Sequence, residues 1–228
     1  MLLFTLVKSF VGIDSGGIPY PIFVFAALIP WIFFQEAASE GINSVVANAA
    51  LIRKIYFPRE IFPLTIMLTK LLELGINFII LALLMWYFEM QPGTTIVWVP
   101  LLIFYTMLVT LSISLFGSAV NVYYRDIAAA LPMVLSVAMY VSPVIYPLSL
   151  VKDKLLTQQS AGEWSDTLYF IYTLNPIAGI IDSFQGVLFR NMNPDMDTLA
   201  PGLVLTLIVL PLSYLYFKHA ETHFADMI

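Results

Sequence analysis

Long apolar runs separated by short polar stretches dominate the hydropathy pattern of this chain. A helix needs about 20 mostly apolar residues to cross the roughly 30 Å hydrocarbon core of a bilayer. Five runs meet that length, covering residues 21–41, 61–88, 96–120, 127–150 and 199–217. None shows the strict alternation of apolar and polar residues that marks the strands of a transmembrane barrel. The pattern therefore predicts an all-α integral membrane protein.

Two further apolar segments are too short to be ordinary spans. Residues 1–11 would rise only about 16 Å as a helix, half of a bilayer, so we interpret them as the remnant of a first span that is truncated here. Residues 168–189 are split by Asn175 and Pro176, and their second half carries Asp182 and Gln185. Apolar segments of 10 to 14 residues are more often re-entrant than spanning. We expect 168–189 to enter and leave the membrane on one side.

The positive charges give the chain an orientation. Arg53, Lys54 and Arg59 lie within seven positions of the loop 43–60, the densest basic stretch in the sequence. Lys and Arg accumulate in cytoplasmic loops, so this loop should face the cytoplasm. A re-entrant segment at 168–189 then leaves the C-terminal Lys218 on the cytoplasmic side as well, in agreement with the same rule.

Composition excludes several classes of function. The 228 residues are 60% hydrophobic and only 11% charged, whereas soluble domains carry about 25% charged residues. The absence of cysteine excludes disulfides, thiolate metal sites and cysteine nucleophiles. The net charge of -5, with no basic tract, argues against nucleic-acid binding. No glycine is followed by lysine, so there is no phosphate-binding loop of the usual kind. We expect no cofactor in this chain, and any ATP must be bound by a partner.

Five motifs, in order along the chain, resemble those of the membrane subunit of type-2 ABC exporters that move polysaccharides. They lie at residues 30–34, 48–60, 121–126, 142–147 and 175–176. The resemblance implies a homodimer of six-span subunits with re-entrant outer gate helices, placed in the inner (cytoplasmic) membrane and paired with two separate ATPase subunits. The implied cargo is a lipid-linked polysaccharide such as O-antigen, capsule or teichoic acid.

The same resemblance implies roles for three groups of residues. The coupling loop, which docks in the ATPase cleft, would use Asn48, Arg53, Lys54, Pro58, Arg59 and Glu60. A cytoplasmic entrance would contain Tyr123, Tyr124, Arg125 and Asp126, and an outer gate Asn175, Pro176, Asp182 and Gln185. Charge alone also allows the loop to be an ordinary cytoplasmic anchor, and Arg125 and Asp126 could be a gating ion pair or a charged helix cap.

Aromatic side chains are candidates for lining the glycan path, because sugars present apolar CH patches as well as hydroxyl groups. The candidates are Trp31, Phe34, Tyr105, Tyr140, Tyr146, Tyr169 and Tyr172. Aromatic residues also fill spans and form interfacial belts without any role in transport, so this interpretation has a structural alternative.

The remaining polar residues raise two alternatives. Glu36 and Glu40 lie four apart on one helix face, where they could contact substrate or simply be solvated at the inner interface. His219 and His223 share that spacing and could bind a metal with Glu221 or Asp226, but two histidines without a third firm ligand are a weak signal. We expect no metal site.

Two rival functions stay open at this point. The first is a membrane-embedded lipid-linked sugar transferase that uses Glu36 and Glu40, or Asp182, as acid and base. Such an enzyme needs carboxylates and cations clustered at one interface to hold a diphosphate, and the sequence scatters its charges over four loops. The second rival has the exporter architecture but carries a drug or a lipid.

Overall fold

The computed structural model describes residues 17–54, 57–157 and 165–227, so the predicted remnant at 1–11 lies outside the described residues. These residues form helices and no strand. In chain order the helices are α1 (Tyr20–Ala47), α2 (Ala49–Ile52), α3 (Ile61–Tyr87), a 3-10 turn (Thr94–Trp98), α4 (Val99–Tyr123), α5 (Asp126–Val141), α6 (Leu148–Thr157), α7 (Ser165–Thr173), α8 (Pro176–Phe189), α9 (Met196–Glu221) and α10 (Phe224–Met227).

Four of these helices are long and apolar enough to cross a membrane: α1, α3, α4 and α9. They have 25 to 28 residues each. Helices of that length rise about 38 to 42 Å, which exceeds the hydrocarbon core by roughly a turn at each end. The four match the apolar runs 21–41, 61–88, 96–120 and 199–217 in position. The predicted all-α membrane fold is confirmed.

The fifth run, 127–150, is not a continuous helix. Helix α5 ends at Val141, and a turn over residues 142–147 separates it from α6. Pro143 and Pro147 explain the break, because proline disfavours the helical conformation in the residue before it, and Ser142 is extended with ψ 151°. The 16 residues of α5 rise about 24 Å, so the crossing of the membrane by this segment stays a prediction.

Helix α1 lies at the centre of the bundle and packs against α3 and α4. Two glycines allow α1 and α4 to approach closely. A Cβ at Gly41 would lie 2.6 Å from the Ser114 hydroxyl, and a Cβ at Gly117 would collide with the Ile42 side chain. Small residues at crossing points are typical of membrane helices, where packing rather than the hydrophobic effect drives association.

One end of the bundle, which we call the inner end, gathers the end of α1, α2, the start of α3, the end of α4 and the end of α9. A separate apolar cluster holds it together, formed by Val45, Ile52, Phe62, Leu115, Ala119, Val122, Phe217, Ala220 and Phe224. The loop 43–60 and the end of α9 with Lys218 therefore lie at the same end, as the charge argument predicts.

The opposite, outer end holds both ends of α8. The Asn175 side chain at its start donates to the Ser142 hydroxyl, and the carbonyl of Val187 near its end accepts from Thr95 in the 3-10 turn. The Tyr20 hydroxyl at the start of α1 also binds here, to the carbonyl of Ile145. Both ends of α8 thus contact elements at this end of the bundle, and the re-entrant course of 168–189 stays a prediction.

Candidate functional site

The coupling loop begins with a single helical turn. This turn, α2, ends at Ile52, and residues 55–56 lie outside the described residues. Asn48 precedes the turn, and its side chain donates back to the carbonyl of Ser44 in the last turn of α1, 2.8 Å away. Ile52 is buried in the inner cluster. Arg53 and Lys54 follow at the exposed edge of this anchored turn.

The far side of the coupling loop is fixed to the end of α9. The backbone N–H of Arg59 donates to the Glu221 carboxylate at 3.3 Å, and the Arg59 guanidinium donates to the Glu221 carbonyl. The Glu60 carboxylate lies 2.7 Å from the Lys218 ammonium, which also lies 2.9 Å from Glu221. We call these four residues the inner clamp.

The electrostatics of the inner clamp favour the charged forms. Burial by itself would raise the pKa of the Glu60 carboxyl, but the hydrogen bond from Lys218, a backbone hydrogen bond and the Lys218 charge together hold that pKa below its usual value. The Arg59 guanidinium also lies 5.6 Å from the centre of the Phe224 ring, a cation–π distance. The clamp therefore adds directional contacts to the apolar cluster beside it.

The structure divides the predicted coupling residues into two groups. Arg53 and Lys54 are exposed and form no ion pair within the described residues. Arg59 and Glu60 are instead engaged by their own chain. Sequence reasoning missed the second role, because Glu60 and Lys218 are 158 positions apart and no local pattern joins them.

The predicted entrance motif forms the connection between α4 and α5. Tyr124, Arg125 and Asp126 are exposed, Tyr123 is half-buried, and no ion pair joins Arg125 to Asp126 in the described part of the chain. Asp126 lies in the first turn of α5, where a negative charge is favourable. Of the two interpretations, this geometry fits the helix cap.

Asn121 organises the entrance motif, although sequence reasoning assigned it no role. Its side chain is 1% exposed. It donates to the carbonyl of Ile42 at 3.3 Å and accepts from the N–H of Ala128 at 3.2 Å. One amide therefore joins α1, α4 and α5. The position of Asn121 inside the motif 121–126 was the feature of the sequence that could have indicated this role.

The outer gate residues meet the 142–147 motif. Asn175 caps α8 by accepting from the N–H of Ile177 at 3.2 Å, and its side-chain nitrogen lies 3.0 Å from the Ser142 hydroxyl. Pro176 follows at the first helical position, where its fixed φ and missing N–H suit a helix start. Two motifs that the sequence lists separately are thus in direct contact.

The two polar residues inside α8 differ in environment. Gln185 is 1% exposed, and its nitrogen lies 3.4 Å from the carbonyl of Phe23. Its side-chain oxygen is buried and has no hydrogen-bond partner among the described residues. Asp182 is partly buried. Polar groups at membrane depth are tolerated where they line water or contact protein. Gln185 contacts protein.

The candidate lining residues fall into two sets. Trp31, Phe34 and Tyr105 are buried in the core of the single subunit, and the Trp31 and Phe34 rings pack edge to face at 5.7 Å. Tyr140 is 65% exposed. Tyr146 hydrogen-bonds to the carbonyl of Tyr140 and approaches the Tyr172 hydroxyl at 3.4 Å, and Tyr169 is half-buried in the helix that carries Tyr172. The tyrosines of this second set lie beside the outer gate.

Four charged side chains from separate parts of the sequence form one group, which we call the Lys70 cluster. The Lys70 ammonium lies 3.0 Å from Glu36, 2.8 Å from Glu40 and 3.0 Å from Glu73. The expectation of scattered charge is wrong here. Packing of α1 against α3 brings Glu36 and Glu40, four positions apart on α1, against Lys70 and Glu73, three positions apart on α3. One cation and three carboxylates leave a net charge of -2.

The two histidines are neighbours near the inner end. Their ring centres are 6.5 Å apart, and the Nδ1 of His223 lies 2.8 Å from the Thr222 hydroxyl. No group of three or more potential metal ligands occurs among the described residues, and the side chain of Asp226 lies outside them.

Comparison with known proteins finds relatives that share one name, although no family model matches the chain. The O-antigen export system permease protein RfbA of Myxococcus xanthus is 25% identical over 100% of this chain and 82% of its own length. Two permease proteins of the same name from Klebsiella pneumoniae are 25% identical over 100% of this chain and 84% of theirs. The resemblance to polysaccharide-export permeases is confirmed along the whole chain, which is a multi-pass membrane protein.

Proposed function

We propose that this chain is the permease subunit of an ABC exporter that carries a lipid-linked polysaccharide across the cytoplasmic membrane. The cargo would be of the O-antigen, capsule or teichoic-acid kind. Two copies of the chain would form the path, and two separate ATPase subunits would bind and hydrolyse ATP, with no catalytic residue or cofactor in the permease. The O-antigen export function named for its relatives supports the class of cargo.

The observation that carries the proposal is the exposed pair Arg53 and Lys54 on a loop anchored at both sides. On one side, Ile52 is buried in the inner cluster, and on the other, Arg59 and Glu60 are bound to α9. A loop held in this way moves with the helices. A partner that pushes on the exposed cations therefore moves the bundle rather than a free segment.

The transferase alternative finds no support in the Lys70 cluster. A lipid-linked sugar donor presents a diphosphate, which an enzyme holds with excess positive charge or a metal ion. The cluster has an excess of two negative charges, which would repel a bare diphosphate. Its carboxylates surround Lys70, and no group of three or more side chains that could hold a metal ion occurs among the described residues. The drug or lipid alternative shares the architecture and differs only in cargo, and the three relatives are all named for O-antigen.

The proposal is tested by reversing one exposed charge in the coupling loop. We expect Arg53→Glu to lower surface polysaccharide by about tenfold or more. Reversing a charge in a docked interface weakens the binding free energy by about 2 kcal/mol or more. The protein should still insert in the membrane at the parent level. Export is measured as surface glycan per cell in a strain that carries only the variant.

The matched control is Lys154→Glu, which reverses an exposed charge in α6, away from the coupling loop. It should export at the parent rate. Equal export from Arg53→Glu and Lys154→Glu would contradict the coupling role of the loop.

A further inference from the structure

Helix α9 connects the inner clamp with the outer gate. It is one continuous helix from Met196 to Glu221, with Pro201 and Pro211 inside it, a rise of about 39 Å. Lys218 and Glu221 in its last turn belong to the inner clamp, and Thr198 to Gly202 in its first turns pack against α8. The two ends of one helix thus contact the two elements that an exporter must move together.

The contact at the inner end is charged and partly shielded from water. The exposed fractions of the side chains are 35% for Lys218, 21% for Glu60 and 19% for Glu221. Partly buried, hydrogen-bonded ion pairs are screened less than exposed ones and resist separation. A displacement of the coupling loop at Glu60 therefore moves the end of α9.

The contact at the outer end is made by backbone. A Cβ at Gly179 of α8 would lie 2.7 Å from the carbonyl oxygen of Thr198, and a Cβ at Gly202 would lie 2.6 Å from the Cα of Pro176. Backbone atoms in contact at glycines cannot yield by changing rotamer. A displacement of α9 therefore moves α8 and the Asn175 cap with it.

Helix α3 is the alternative route, because Glu60 lies immediately before its first residue. Its contact with α8 is between side chains, with the Phe78 and Phe184 rings 6.0 Å apart. Side-chain contacts of this kind can repack by rotamer changes when one helix slides past another. The contact with α8 that cannot repack in this way is the one that α9 makes.

We propose that α9 transmits movement of the coupling loop to the outer gate, and that Lys218 is the positioning residue that ties α9 to the loop. The inference rests on the proposed function, since it requires an ATPase that moves the loop. It adds a route by which that movement reaches Asn175 and opens its contact with Ser142.

A thiol at Ser142 can report the opening of the gate. Ser142 is 0% exposed beneath Asn175, and the chain contains no cysteine, so Ser142→Cys introduces a single reactive group. The experiment uses the complex of the full chain with its ATPase subunits in lipid nanodiscs. A water-soluble maleimide labels the thiol in the absence of nucleotide and after trapping with ATP and vanadate.

In the Ser142→Cys parent we expect trapping to change the labelling rate by at least about tenfold, because a buried thiol reacts only from an open state. Adding Lys218→Met should abolish this response, and Lys218→Arg should restore it because the cation is kept. His219→Met changes the next residue of α9, which is exposed and outside the clamp, and should leave the response intact.

The outer end is tested separately, in case the clamp variant fails to assemble. Gly202→Ala forces a Cβ against the Pro176 backbone and should also abolish the response. Gly75→Ala, with nothing within 4 Å of the added Cβ, is the matched control. A parent-like response in Lys218→Met or in Gly202→Ala overturns the inference, as does an unresponsive parent complex that still hydrolyses ATP and exports. Failure of the Arg53→Glu test is a different result and would overturn the proposed function itself.

Discussion

The Lys70 cluster offers a direct test of how α1 and α3 are held together. Its single ammonium contacts three carboxylates from two helices, Glu36 and Glu40 on α1 and Glu73 on α3. Replacing Lys70 with methionine keeps the length of the side chain and removes the charge. Three carboxylates would then face one another without a counter-ion.

The expected loss follows from the exposure of the partners. The glutamate side chains are 44%, 52% and 50% exposed, so each pair contributes about 0.2 to 1 kcal/mol, and the three together roughly 0.6 to 3 kcal/mol. For a chain of this size, that loss lowers the apparent melting temperature by roughly 1 to 12 °C. The repulsion left among the carboxylates places Lys70→Met toward the upper part of this range.

The assay is the melting temperature of the purified chain in detergent, read from the fraction that remains soluble and monodisperse after heating. A fully neutral variant, with Lys70→Met, Glu36→Gln, Glu40→Gln and Glu73→Gln together, separates lost attraction from new repulsion. It should recover most of the deficit, because neutral isosteres often replace an ion cluster at little cost. A Lys70→Met variant that melts at the parent temperature would refute the reasoning.

Two further predictions concern the inner end. Asn121→Ala leaves the carbonyl of Ile42 and the N–H of Ala128 without their partner and should cost about 1 to 3 kcal/mol; thermal melting measures this, with the exposed Asn43→Ala as a near-neutral control. The pKa of Glu60 is lowered in the fold. The stabilisation by the clamp is therefore fully present above about pH 4.3, the usual pKa of a glutamate. It is lost as the pH falls through the lowered pKa. The melting difference between the parent and Lys218→Met should accordingly be constant near neutral pH and shrink below about pH 4; a difference that persists unchanged into acid would contradict the role of Glu60.

The long helices could be predicted from the sequence because each arises from local information. An uninterrupted apolar run fixes α1, α3, α4 and α9, and bilayer thickness sets their length. The same reasoning identified Asn175 and Pro176 as a break within 168–189, and α8 begins at Pro176. It did not place the end of α5, because the effect of Pro143 and Pro147 on a run of apolar residues depends on the neighbouring packing.

The contacts between distant segments could not be predicted in this way. Glu60 and Lys218 are 158 positions apart, and Lys70 meets Glu36 across 34. Each of these residues looks like an ordinary interfacial charge on its own helix. Only the order in which the helices pack shows that Arg59 and Glu60 bind the chain itself, while Arg53 and Lys54 stay exposed.

The burial of Trp31 follows the same logic. An aromatic residue in a span is compatible with a substrate path, a lipid-facing belt or a packed core. Trp31 lies in the core because α1 is the central helix, and its indole N–H donates to the Gln35 side chain at 2.9 Å. Of the candidate lining residues, Tyr146 and Tyr172 lie beside the outer gate, and their hydroxyl groups suit contacts with sugars.

The proposed division of labour between permease and ATPase is tested most directly by measuring transport with purified components. The chain is reconstituted in lipid vesicles with and without its ATPase subunits, and the transfer of a radiolabelled lipid-linked polysaccharide across the bilayer is followed over time. The account predicts transfer only when both kinds of subunit and hydrolysable ATP are present. Uphill transfer by the chain alone, or chemical turnover of the lipid-linked sugar by the chain alone, would contradict it.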